Sequence, residues 1–165
     1  MPNAAHLHLL VNHLPVLGTV FSLILLLYGL LKKSEEIKKA SFIGVILTGL
    51  GGAAAYFTGE PAEHMIGRLQ GVSRQLLHTH QESANIAIIP LGLAALLALF
   101  FLIQYRQKVI PKLPLYLVGA LLIIVSVMMY RTANEGGLIR HPEIDDATLQ
   151  TLPVNPAPPR PPKTE

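Results

Sequence analysis

Residues Ala84–Tyr105 read ANIAIIPLGLAALLALFFLIQY, with no charged side chain anywhere in the run. A helix needs roughly 20 apolar residues to cross a hydrocarbon core about 30 Å thick, and this run supplies that length by itself. Three further runs have the same character, at about 9–31, 40–58 and 115–130, the last being the shortest. Four core helices of a water-soluble bundle would each need a charged stripe facing solvent, and none of the four runs carries one. The chain is 51% hydrophobic and 14% charged, against roughly 25% charged in ordinary globular domains. The expected fold is all-α: an integral membrane four-helix bundle occupying residues 1–141.

The connections set the expected topology. Runs one and two, and runs three and four, are joined by short loops, which favours an antiparallel up-down-up-down bundle. Lys32, Lys33, Lys38 and Lys39 in one loop and Arg106, Lys108 and Lys112 in the other predict that these loops face the cytoplasm. Both termini and the connection 59–83 then face the periplasmic side of a bacterial inner membrane, together with Arg68, Arg74, Arg131 and Arg140. The first run lacks a basic leader and a small-residue cleavage site and ends in Lys32-Lys33, so it reads as a retained helix and not as a signal peptide. In the outer connection, Met65, Ile66, Leu69, Val72, Leu76 and Leu77 recur near helical spacing, which predicts a short interfacial helix around Met65–Leu77. Gly136-Gly137 predicts a break after the fourth helix that folds TANEGGLIRHPEI over the bundle mouth. Residues 142–165, ending NPAPPRPPKTE, read as a proline-rich disordered or extended tail. Gly44, Thr48, Gly49, Gly51, Gly52 and Ala55 give the second helix a small-residue surface. Such a surface serves close helix packing and, less often, the approach of a flat ligand.

On this topology all seven histidines gather at one end. His6, His8 and His13 open the first helix, and His64 follows the second. His78 and His80 precede the third, and His141 follows the fourth. Polar and ionisable side chains at a bilayer are costly and tend to mark function. The chain has no cysteine, which excludes disulfides, thiolate metal sites and covalent haem attachment. No nucleophile motif and no phosphate-cradling glycine loop is present, so a hydrolytic enzyme is not expected. The basic residues flank apolar runs instead of forming a stripe with aromatics, which argues against nucleic acid as a partner.

Neutral imidazole suits haem iron, copper and zinc, and helix bundles build cofactor sites from side chains on facing helices. One haem b or two would be held by axial pairs drawn from His13, His80, His8, His141, His64 and His78. His13 with His80 is the expected first pair, each lying at the apolar margin of a long helix. Asn12 or a backbone carbonyl would orient His13 through its other ring nitrogen. Arg131 and Arg140 would pair with the propionates, since guanidinium forks match carboxylates. The competing reading is a copper, zinc or iron site built from Glu60 with His64 and His78 with Glu82, each pair four apart on one helix face. The blander readings are that His6 is solvated and His141 only hydrogen-bonds in a loop. His78 and His80, two apart, cannot both point into the bundle.

The pieces HLLVNHLPVLG, YFTGEPAEH, HTHQESA and ANEGGLIRHPEI, spread over residues 6–144, resemble a bacterial family of uncharacterised four-helix integral membrane proteins. That family has a His-x-Pro start to helix one and a Gly-Gly-x-x-x-His-Pro segment after helix four. The resemblance implies the four-helix topology and singles out His8, His13, His80 and His141. In broader layout the chain is similar to small b-type cytochrome membrane subunits.

The expected function is a membrane electron-transfer subunit, embedded in lipid and exchanging electrons between the quinone pool and a periplasmic redox partner. The alternatives are a non-haem metal-binding membrane protein and a cofactor-free accessory subunit of a membrane complex.

Overall fold

A computed structural model describes residues 3–69 and 72–141 of the chain. Five helices follow one another: α1 (Ala4–Val11), α2 (His13–Leu31), α3 (Glu35–Ile66), α4 (Arg74–Gln104) and α5 (Lys112–Arg140). No strand occurs among the described residues. Counting α1 and α2 as one span, four helices are long and apolar enough to cross a membrane. In the most apolar stretch of α4 the mean hydropathy is 2.9, yet only 22% of that stretch is buried inside the protein. A helix that is apolar all round but mostly uncovered is one solvated by lipid. Leu31, Phe57 and Tyr130, each more than 70% exposed, belong to that outer surface.

The first span starts earlier than the sequence suggests and is interrupted at Asn12. Pro15 explains the interruption. It has no N–H to donate, and its ring opposes the carbonyl four residues back, that of Val11. Asn12 N–H instead closes α1 on the His8 carbonyl at 2.9 Å, and α2 begins with Pro15 in its first turn, where proline is tolerated.

The spans pack in a ring: α2 on α3, α3 on α4, α4 on α5 and α5 back on α2, with α1 lying on α3. The buried residues follow three- and four-residue steps. On α4 they are Ala87, Leu91, Ala94 and Ala98, and on α5 Leu115, Val118, Leu122, Val125 and Met129. Leu26 of α2, Phe42 and Val45 of α3 and Ile110 before α5 join Ala94, Ala98, Leu115, Val118 and Leu122 in one cluster, and Ala87, Leu91, Val125 and Met129 form a second. In lipid, contact quality and not water exclusion holds such helices together. The small residues of α3 serve this packing: a Cβ at Gly44 would come within 2.7 Å of Ser22 Oγ, and one at Gly52 within 2.6 Å of Leu91 Cδ2. Gly52 is filled by the neighbouring α4, while Gly44 also borders a shallow groove between α2 and α3. Ser41 Oγ also donates to the Ser22 carbonyl at 2.8 Å, tying α3 to α2.

The end of the bundle that carries the lysines is closed by polar contacts between its two loops. Ser34 caps α3 by accepting from Ile37 N–H. Glu35 accepts from Lys38 Nζ at 2.7 Å with one carboxylate oxygen and from Ile110 N–H at 2.9 Å with the other. Lys39 Nζ donates to the Arg106 carbonyl at 2.9 Å.

Two expectations need correction at the opposite end. The stretch Met65–Leu77 is not one interfacial helix: α3 continues to Ile66, a turn follows, and α4 begins at Arg74. The sequence pattern merged two helix ends, because Gly67 closes one and Ser73, accepting from Leu76 N–H, opens the next. Nor does Gly136-Gly137 end the last helix, since α5 runs on to Arg140. Glycine costs an interior helical residue only about 1 kcal/mol, and Gly136 is required small by a neighbouring ring, described below. The proline-rich reading of residues 142–165 lies outside the described residues.

Candidate functional site

The buried seams of α4 and α5 turn polar at the histidine end. Continuing the α4 register from Ala87 leads to Ser83, which is buried, and then to His80, which is half-buried. On α5 the register passes from Met129 to Thr132 and Glu135, both buried. His80 is therefore in phase with the packed face of its helix. His78, two positions away, is exposed and pairs with Glu82 at 3.7 Å.

Two histidines are fixed by backbone. His80 Nδ1 lies 2.9 Å from the Thr132 carbonyl of α5. His8 Nδ1 lies 3.0 Å from the Ala55 carbonyl of α3 and 3.2 Å from Thr58 Oγ1. A carbonyl only accepts, so Nδ1 must carry the proton in both rings. Thr58 spends its hydroxyl hydrogen on the Ala54 and Ala55 carbonyls and so accepts from His8 as well. In the neutral ring the Nε2 lone pair is then left open, and Nε2 of His8 and of His80 makes no hydrogen bond among the described residues. A backbone carbonyl that fixes tautomer and ring orientation in this way is the usual support of a ligating histidine. The two rings come from α1 and α4.

A glycine makes room for His80: a Cβ at Gly136 would lie only 3.1 Å from its Cε1, whereas one at Gly59 would make ordinary contact with His8 Cε1 at 3.5 Å. Glu135, next to Gly136 in the chain, gives one carboxylate oxygen to Arg131 Nε at 2.9 Å. Its other oxygen is buried without a partner, as is Asn12 Oδ1. The sequence offers Asn12 only as an orienting partner for His13; Glu135 is found by extending the three-four register of α5 past Met129.

The other sequence candidates lie elsewhere. His13 is exposed, makes no hydrogen bond or ion pair among the described residues, and lines a shallow apolar groove with Leu17, Phe21 and Leu47 between α2 and α3. It is not the histidine that a backbone carbonyl orients; that position belongs to His8, one helix earlier. His64 and Glu60 pair at 3.9 Å with side chains 74% and 73% exposed, a solvated surface pair worth little. Glu60, His64, His78 and Glu82 thus form two separate exposed pairs, and no group of three or more histidines and carboxylates comes together for a metal among the described residues. Arg131 is largely exposed and serves Glu135, Arg140 ends α5, and His141 caps it through its N–H to the Gly137 carbonyl. His6 is exposed, its N–H held by the Asn3 side chain.

What the arrangement offers chemically is two preoriented nitrogen donors from two helices at one end of an apolar bundle, with a half-satisfied buried carboxylate at the same end of α5. Compared with family models, with curated proteins and with solved structures, the chain finds no match.

Proposed function

We propose that this chain is an electron-transfer subunit of a membrane, holding a b-type haem between His8 and His80. The observation that carries the reading is the shared design of these two histidines: each donates Nδ1–H to a backbone carbonyl and leaves Nε2 open. Iron of a b-type haem takes two such nitrogens and needs no cysteine. The donor set therefore fits the group, and the first-choice pair of the sequence, His13 with His80, gives way to His8 with His80. Bound haem would supply one-electron transfer. The chain's own residues would hold and orient it: the Ala55 and Thr132 carbonyls set ring direction, Gly136 keeps the His80 ring unobstructed, and the apolar seam below excludes water. Arg131, which pairs with Glu135, would be the α5 guanidinium offered to a propionate.

In this reading the four spans run up-down-up-down, with the lysine-bearing loops in the cytoplasm and the histidine end on the periplasmic side of a bacterial inner membrane. The support is the positive-inside rule applied to Lys32, Lys33, Lys38, Lys39, Arg106, Lys108 and Lys112. A quinol in the bilayer is the fitting electron donor, with Glu135 placed to accept a proton released on its oxidation.

The test is substitution. His8→Ala and His80→Ala should each abolish haem retention in detergent, while His13→Ala and His64→Ala retain it. Full haem in both His8→Ala and His80→Ala variants would sink the assignment.

A further inference from the structure

Past His8 and His80 at the same end, between the close of α3 and the start of α4, lies a cavity of about 400 Å³. Arg68, Arg74, His64, His78 and Glu63 line it, beside the buried Leu77. The charge in this cavity is not balanced from within. Neither Arg68 nor Arg74 takes part in an ion pair among the described residues. His64 and His78 have carboxylates of their own at 3.9 and 3.7 Å. Two unpaired guanidiniums therefore face one carboxylate, Glu63. Arg74 is the first residue of α4, so the positive end of that helix's dipole adds to the same field. Met65 and Leu69 on the same segment are exposed apolar side chains, which sets the cavity at the border between lipid tails and water.

We propose that this cavity binds a phosphate-bearing anion, supplied either as the head group of an anionic phospholipid or as free phosphate. Guanidinium forks match phosphate oxygens and desolvate more readily than ammonium, and basic pockets between membrane helices hold anionic head groups. Glu63 accepts hydrogen bonds only, which suits a head group whose phosphate is followed by hydroxyls. The proposal stands apart from haem binding, since none of its residues is an axial candidate of the preceding section.

The experiment uses the full chain in nanodiscs of phosphatidylcholine, alone or doped with phosphatidylglycerol, and measures bound lipid by native mass spectrometry. Inorganic phosphate is titrated separately in the undoped discs. The variants are Arg68→Gln, Arg74→Gln and the two combined, with Arg131→Gln as a one-charge control at the same end outside the cavity. Both cavity arginines are exposed, so the double variant should unfold at the wild-type temperature. Each lost charged hydrogen bond should weaken binding on the order of tenfold. Retention of phosphatidylglycerol by wild type and Arg131→Gln, lost in the double variant, establishes the head group as ligand. Saturable phosphate binding with the same dependence, and no lipid retention, establishes free phosphate. If neither probe separates wild type from the double variant, or if Arg131→Gln weakens binding equally, the cavity is not an anion site.

Discussion

Replacing Gly136 with alanine separates the positioning of His80 from the stability of the helix beside it. The added Cβ would stand 3.1 Å from His80 Cε1 and 3.3 Å from Nδ1, so the ring must shift by a few tenths of an ångström. The same helix carries the Thr132 carbonyl that holds Nδ1 at 2.9 Å, and a ring pushed off Gly136 loses that bond's geometry. A hydrogen bond contributes roughly 0.5–1.5 kcal/mol net. Alanine for glycine in a helix interior returns about 0.8–1 kcal/mol. The two nearly cancel, so Gly136→Ala should leave the unfolding temperature close to wild type. Ligand orientation has no such compensation, and loss of an outer-shell partner costs roughly 10- to 100-fold in affinity. Gly137→Ala is the control, because nothing lies within 4 Å of its Cβ position: it should stabilise α5 and leave haem affinity alone. Haem titration and thermal unfolding in one detergent give both quantities. Equal haem affinities for the two variants would refute the positioning role of Gly136.

Three further outcomes follow from the lysine end. Lys33 sits at φ 54° in a helix stop where Ser34 N–H reaches the Gly29 carbonyl and Lys33 N–H the Leu30 carbonyl. Since that conformation costs a non-glycine residue roughly 1–2 kcal/mol, Lys33→Gly should raise the unfolding temperature, and no change would contradict the strain. Gly29→Ala should do the reverse, because its Cβ would meet the Lys38 backbone nitrogen at 3.0 Å; a loss of roughly 1–3 kcal/mol is expected, read by denaturant titration. Glu35→Ala leaves the mostly buried Lys38 ammonium and the Ile110 N–H without their acceptor. That should cost about 1–3 kcal/mol and speed proteolysis of the loop before α5, whereas unchanged cleavage would show that Glu35 does not tie the loops.

The four spans were legible because a lipid-facing helix leaves a composition signature that no packing detail can hide: Ala84–Tyr105 has no charge to place in water. Helix ends were less legible. The C-terminal end of α3 and the N-terminal end of α4 extend well past their apolar runs, since caps such as Ser73 and the backbone's own bonding decide them, not hydropathy. Gly136 was misread because a glycine that breaks a helix and one that clears space for a ring look the same in sequence. The histidine cluster was visible as residues at one end, but the choice among them was not. His13 lies deeper in the apolar run than His8, which made it attractive. Yet it is His8, one turn before the Asn12 interruption, that meets the Ala55 carbonyl on α3. His80 was recoverable: steps of three and four back from Ala87 reach it and miss His78. The pairing of His8 with Ala55, 47 residues away, is a tertiary fact with no local signal.

The most direct test of the central claim is a visible spectrum of the purified protein, oxidised and then reduced with a quinol, after reconstitution with haem b. Haem held by His8 and His80 should give the sharp paired bands of the six-coordinate form on reduction, present in His13→Ala and absent in His8→Ala and in His80→Ala. A flat difference spectrum after reconstitution, or bands that survive the loss of both His8 and His80, would contradict it.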